Sequence, residues 1–183
     1  YFDGALRDVR LYARALPEAE VKTFAILLMH HWALTEAEGG TTAFDAGYGS
    51  AANLELEGGA AFLGPDAGGG ALLSNPNGDD GRFLDFGGGG LTFAAVEGVT
   101  FAAFVRHDSF QDTGRILSLS DGGSNWIYLC NVDTTRRASW YIRNGGTAKY
   151  LDTPAYDGGG DASLAFFPPA GQWAHVAAVA TAA

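Results

Sequence analysis

Polar and apolar side chains alternate from Gly4 to Arg14. Leu6, Asp8, Arg10 and Tyr12 fall on one side and Arg7, Val9 and Leu11 on the other, which is the period of a β-strand. Residues Pro17 to Phe24 follow a helical rule. Proline opens the segment, Glu18 and Glu20 sit in its first turn, and Val21 and Phe24 are apolar three apart, so a short helix is predicted. Ile26 to Leu34 reads as an apolar strand, and Thr35 to Ser50 as a polar, glycine-containing loop. Further strands are predicted over Asn53 to Glu57, Arg82 to Phe86, Leu91 to Ala95, Thr100 to Arg106, Arg115 to Ser120, Asn125 to Asn131, Ala138 to Arg143, Ser163 to Phe167 and Trp173 to Ala180. Gly87 to Gly90, Glu97-Gly98, Asp121-Gly-Gly and Asn144-Gly-Gly punctuate them. About a dozen closely spaced strands with turn signals predict an all-β chain folded as an antiparallel two-sheet β-sandwich, with one short helix near its start.

Composition narrows the function classes. The 183 residues suffice for one domain with a core, and an apolar fraction of 47% argues against disorder. The 27 glycines show no three-residue period, so they mark turns rather than a collagen repeat. A formal net charge of −10 with 11 Lys and Arg makes nucleic acid and anionic membranes poor partners, while it suits divalent cations. No apolar run reaches the ~18 residues a spanning helix needs. The first residue is Tyr1, and the chain is read as a mature or truncated product. Cys130 is the single cysteine, which excludes an intrachain disulfide.

The first residues carry F-x-G-x-L-x-D-V-R-L-Y-x-R-A-L-x-x-x-E, from Phe2 through Gly4, Leu6, Asp8, Val9, Arg10, Leu11, Tyr12, Arg14, Ala15 and Leu16 to Glu20. This resembles the closing strand and turn of laminin-G-like domains, the concanavalin A-like jelly rolls. Later segments resemble the same family from its beginning. They are W-x-L-x-E at Trp32 to Glu36, G-R-F-L-D-F-G-G from Gly81, T-F-A-A-F-V-R from Thr100, G-R-I-L-S-L from Gly114 and G-Q-W-A-H-V-A from Gly171. The resemblance implies a closing strand and helix over 1–24, then a laminin-G-like sandwich over 25–183 that lacks its last strands. It implies that Gly4 to Tyr12 pairs with the first strand near Ile26 to Leu34. It also implies that neighbouring sequence or another chain supplies two strands, by strand addition. A segment of a tandem array and a permuted or strand-complemented sandwich both satisfy this order.

Candidate chemistry is sparse. The resemblance places a structural calcium at Asp8 and Asp45, with carbonyls near Gly39 and Gly47, because the ion takes several oxygen ligands. The competing reading pairs Asp8 with a basic side chain and leaves Asp45 to shape a turn. Asn75 to Gly81 offers alternate side-chain oxygens but has Phe86 where a calcium loop needs glutamate, so it reads as a turn. Trp126, Tyr128, Trp140, Tyr141, Tyr150 and Tyr156 are candidates for sugar binding, since aromatic faces stack on sugar C–H groups; core and edge packing is the alternative. Alternation sets Trp126 with Tyr128 on one face and Trp140 opposite to Tyr141.

No carboxylate set matches a jelly-roll glucanase. Glu55 and Glu57 alternate on one short strand without a third carboxylate, the four histidines have no metal spacing, and no serine lies in a G-x-S-x-G elbow. The expectation is therefore a non-catalytic, extracellular or cell-surface module for adhesion, assembly or surface structure in a larger repeat protein. Its partners would be neighbouring domains or copies of the same protein. A carbohydrate-binding module, calcium-assisted, is the alternative, and a glycoside hydrolase a distant third.

Overall fold

The computed structural model describes residues 2–12, 15–17, 30–47, 52–64, 69–73, 83–85, 98–120, 123–153 and 165–181. The described residues form thirteen strands and no helix. They are β1 (Asp3–Tyr12), β2 (His30–Trp32), β3 (Thr42–Ala43), β4 (Leu54–Glu57), β5 (Ala61–Phe62), β6 (Ala71–Leu72), β7 (Phe83–Asp85), β8 (Gly98–Ser109), β9 (Arg115–Ser120), β10 (Trp126–Asn131), β11 (Ala138–Asn144), β12 (Thr147–Asp152) and β13 (Trp173–Thr181). The protein is all-β with antiparallel sheets, as the alternation predicts. Residues 18–24 of the expected helix, the strand at 91–95 and the turn at 75–81 lie outside the described residues.

Three sheets result. One has the order β13-β8-β1-β6-β5, with β2 also paired to β1; the second is β12-β11-β10-β9; the third is β3-β4-β7. The chain divides into two compact units. One takes residues 2–4 and the described part of 106–174, including the whole β12-β11-β10-β9 sheet. The other takes the described parts of 5–73, 81–105 and 175–183.

In the second unit β1 changes partners along its length. Ala5 and Leu6 pair with Leu72 and Ala71 of β6, whereas Val9, Arg10 and Leu11 pair with Trp32, His31 and His30 of β2. The second set is the pairing expected between Gly4–Tyr12 and the first strand of the opening. Between the two sets stands Asp8, with a left-handed φ of 50° that aspartate tolerates better than most residues. Its N–H leaves the ladder register and donates to the Ala33 carbonyl at 3.1 Å. The unit's core gathers Leu11, Trp32, Leu34, Phe62, Phe101 and Val105, all nearly inaccessible to solvent.

In the first unit, Gly4 has a clear reason to be glycine: a Cβ there would lie 1.9 Å from the Arg106 carbonyl oxygen. The β10–β11 and β11–β12 pairs are in continuous antiparallel register, and β10–β9 carries one irregularity between Leu129 and Cys130. Gly145 and Gly146, both with positive φ, close a two-residue hairpin between Asn144 and Thr147. The strand expected over 163–167 is not formed by Ala165–Phe167. There Phe167 exchanges hydrogen bonds with Arg136, its N–H donating to the Arg136 carbonyl and its carbonyl accepting from Nε. The backbone is thus satisfied without a ladder.

Candidate functional site

The β12-β11-β10-β9 sheet presents its side chains in cross-strand rows, because directly opposed residues share a face. One row runs Ser118, Tyr128, Tyr141, Tyr150; the next runs Ser120, Trp126, Arg143, Ala148; a third runs Arg115, Cys130, Ser139, Asp152. These rows occupy one face. The other face carries Leu117, Leu129, Trp140 and Leu151, then Leu119, Ile127, Ile142 and Lys149. Alternation therefore sorts the sheet into a polar, aromatic face and an apolar one.

On the aromatic face Tyr128 and Tyr141 stack with centroids 4.4 Å apart and planes at 12°. The Arg115 guanidinium sits 5.1 Å from the Tyr128 ring and 5.5 Å from the Trp126 ring, within cation–π reach of both. Trp126 is fixed by its Nε1–H, which donates to the Gly123 carbonyl at 2.9 Å. Tyr150 ends its row and is 69% exposed. Because Tyr128 and Tyr141 cover one another, they offer a ligand ring edges and hydroxyls, and Tyr150 offers the most open ring surface. Burial, with Cys130 and Tyr141 as neighbours, pushes the Tyr128 hydroxyl above its ordinary pKa, so it stays a hydrogen-bond donor at neutral pH.

Of the six aromatic residues expected to touch sugar, Trp126, Tyr128, Tyr141 and Tyr150 thus share a face, Trp140 does not join them, and Tyr156 lies outside the described residues. Trp140 is on the apolar side, buried, opposite Leu129, with an indole N–H that has no hydrogen-bond partner among the described residues. Arg115 and Asp152 join the site although no motif marks them; the cross-strand register brings them there. Cys130 lies on the same side of the ladder but is buried, and burial raises its thiol to about 11, which leaves it protonated and unreactive.

The residues expected to hold calcium lie in the other unit and are engaged otherwise. Asp45 accepts from the backbone N–H groups of His31 (2.9 Å), Gly47 (2.8 Å) and Ala52 (3.1 Å), and its Oδ2 lies 2.7 Å from His30 Nδ1. Those four contacts fill the lone-pair sites of one carboxylate. Burial alone would raise the Asp45 pKa, but the bonds from His30, His31, Gly47 and Ala52 outweigh it and hold the group below 3.8. Asp8 binds Arg10 through both oxygens at 2.9 and 3.0 Å, and His31 Nε2 at 2.6 Å.

His30 and His31 are consecutive on β2 and point to opposite faces, so they carry Asp45 and Asp8 to opposite sides of the strand. These oxygens do not fit a shared calcium site; the Gly47 N–H already donates to Asp45, and Gly39 lies in a turn with a positive φ of 83°. No group of three or more His, Cys, Asp or Glu suited to a metal occurs among the described residues. Glu55 accepts from the Thr42 hydroxyl at 3.0 and 3.1 Å, a cross-strand pair.

Comparison with family models, with curated proteins and with solved structures finds no match to this chain.

Proposed function

We propose that the chain is a laminin-G-like module of the concanavalin A-like sandwich class. In this reading it is non-catalytic, works outside the cell in adhesion or assembly within a larger protein, and recognises a glycan through the Trp126, Tyr128, Tyr141 and Tyr150 face. One observation carries the reading: a row of three tyrosines on one sheet face, braced by Arg115 and bordered by Ser118, Ser139 and Asp152. Aromatic surface beside hydroxyl and carboxylate groups is what a sugar ring requires, apolar C–H patches meeting the ring and hydroxyls meeting the polar atoms. Calcium at Asp8 and Asp45 has no part in this reading.

The test is glycan-array screening followed by calorimetric titration of the best binder. Tyr150→Ala and Tyr141→Ala should each weaken binding roughly tenfold, about 1.4 kcal/mol. Phe44→Ala removes an exposed aromatic from the other unit and should leave binding as it was. Absence of glycan binding at millimolar concentration, or binding indifferent to both tyrosine substitutions, would overturn the proposal.

A further inference from the structure

Among the described residues the four-stranded sheet ends on β9 at one side and on β12 at the other. All six residues of β12 are exposed. Tyr150 and Leu151 are 69% and 71% exposed and, being consecutive, project to opposite faces. An open edge strand with large apolar side chains on both faces is a template for another strand.

The two edges complement each other. The β9–β10, β10–β11 and β11–β12 steps each invert direction, so β12 runs antiparallel to β9. A second copy's β9 laid beside β12 in that sense continues the antiparallel alternation, and the existing rows extend across the junction. Asp152 then faces the second copy's Arg115, Tyr150 faces its Ser118, and Leu151 faces its Leu117. The Lys149 stem lies along the second copy's Leu119 with the ammonium in water, and a charge at that place limits indiscriminate pairing. Pairing β12 with itself does less. A two-fold register centred on Tyr150 sets Lys149 against Leu151 and Ala148 against Asp152, and one centred on Lys149 opposes two ammonium groups. Neither matches a charge.

We propose that the β12 edge of this chain binds the β9 edge of a second copy, head to tail, joining the sheets into an open-ended array. Such an interface is heterologous and does not close on itself at two copies.

Light scattering of the full chain across a concentration series tests it. The weight-average mass should climb steadily from about 10 μM to about 1 mM, without a plateau at two copies. Asp152→Arg and Arg115→Asp should each hold the chain at the monomer mass. The charge-swap double variant should restore growth, and an equimolar mixture of the two single variants should associate. Leu151→Lys, at a position already in water, should give a monomer with unchanged circular dichroism, which guards against a folding defect at Arg115. A monomer at 1 mM, a mass that stops at two copies, or a folded double variant that stays monomeric would each overturn the proposal. The readout is mass rather than sugar affinity, so it stands or falls separately from the glycan reading.

Discussion

Two histidines, one in each unit, are equally buried at 3% exposure and are treated in opposite ways. His30 has a carboxylate 2.7 Å from Nδ1 and lies parallel to the Trp32 ring at 5.4 Å. His107 is enclosed by Phe2, Phe110 and Phe167 at centroid distances of 4.9, 4.6 and 4.5 Å, and its Nε2 has no hydrogen-bond partner among the described residues. The first site couples a ring to a carboxylate that also gathers three backbone donors. The second uses imidazole as an aromatic filler. Burial lowers the His107 pKa to about 4, with Asp3 pulling the other way. The contrast teaches that burial alone does not assign a histidine its role; the atoms around its nitrogens do.

Removing the carboxylate breaks the first arrangement most severely. Asp45→Ala leaves the His31, Gly47 and Ala52 amides and the His30 ring without their acceptor in a buried setting. The expected cost is about 3–5 kcal/mol, read as a drop in the urea midpoint. His107→Leu replaces a filler by a filler and should change stability at pH 7 by no more than ~1 kcal/mol. Equal losses from the two substitutions would erase the distinction.

Acid separates the sites next. The folded pKa of His107, about 4, is below the ordinary 6.5, so the unfolded chain takes up the proton first. Stability is therefore full above 6.5 and falls as pH drops from 6.5 towards 4, by about 3 kcal/mol in total. Asp45 has the same ordering in a lower pH window. Its folded pKa is depressed, so its contribution is complete above 3.8 and is lost only as pH falls further, through the lowered value. Urea midpoints at several pH values should show that His107→Leu flattens the upper window and spares the lower one, while Asp45→Asn spares the upper. A shallow slope should survive in His107→Leu, because burial and Arg10 also lower His175, against the pull of Asp8. A wild-type profile level between pH 6.5 and 4 would remove His107 as the acid-sensitive group.

The same contrast explains what could be read from the sequence. Arg115–Ser120 is a strand with the bounds that alternation predicts, and β10 and β11 agree within a residue, because Gly and Asn turns isolate each run. β12 was not legible. Its six residues bury nothing, so no apolar rhythm marks Thr147–Asp152, and only pairing with β11 makes it a strand. The short β3, β5 and β6 escaped because two residues carry no period. Phe166 and Phe167 misled in the other direction: they lie in a bend rather than a strand, Phe167 packing on His107 and Phe166 standing against Phe167 and 42% exposed. At the candidate site, alternation placed Trp126 with Tyr128 and set Trp140 apart, but register across four strands was needed to bring Arg115 and Tyr150 together. For Asp8, pairing with a basic side chain was the competing reading to calcium, and Arg10 and His31 now occupy it. The Asp45 contacts span up to 15 residues, beyond what local pattern encodes.

Asp8 offers the mildest test, because it repeats the carboxylate–histidine pair of Asp45 at a half-buried place. Its side chain is 26% exposed, against 1% for Asp45, so water competes with Arg10 and His31 for its oxygens. Asp8→Asn removes the charge while keeping a residue that accepts the left-handed φ of 50°. The expected loss is about 0.5–1 kcal/mol at low salt, shrinking further at ~0.5 M NaCl as the Arg10–Asp8 ion pair is screened. Asp8→Ala should cost about 1 kcal/mol more than Asp8→Asn, since alanine lacks the side-chain hydrogen bonding that eases that backbone conformation. Urea titrations of the three proteins order these terms. If Asp8→Asn were as damaging as Asp45→Ala, accessibility would not be what separates the two pairs, and the bend where β1 leaves β6 for β2 would have to depend on the Asp8 charge itself.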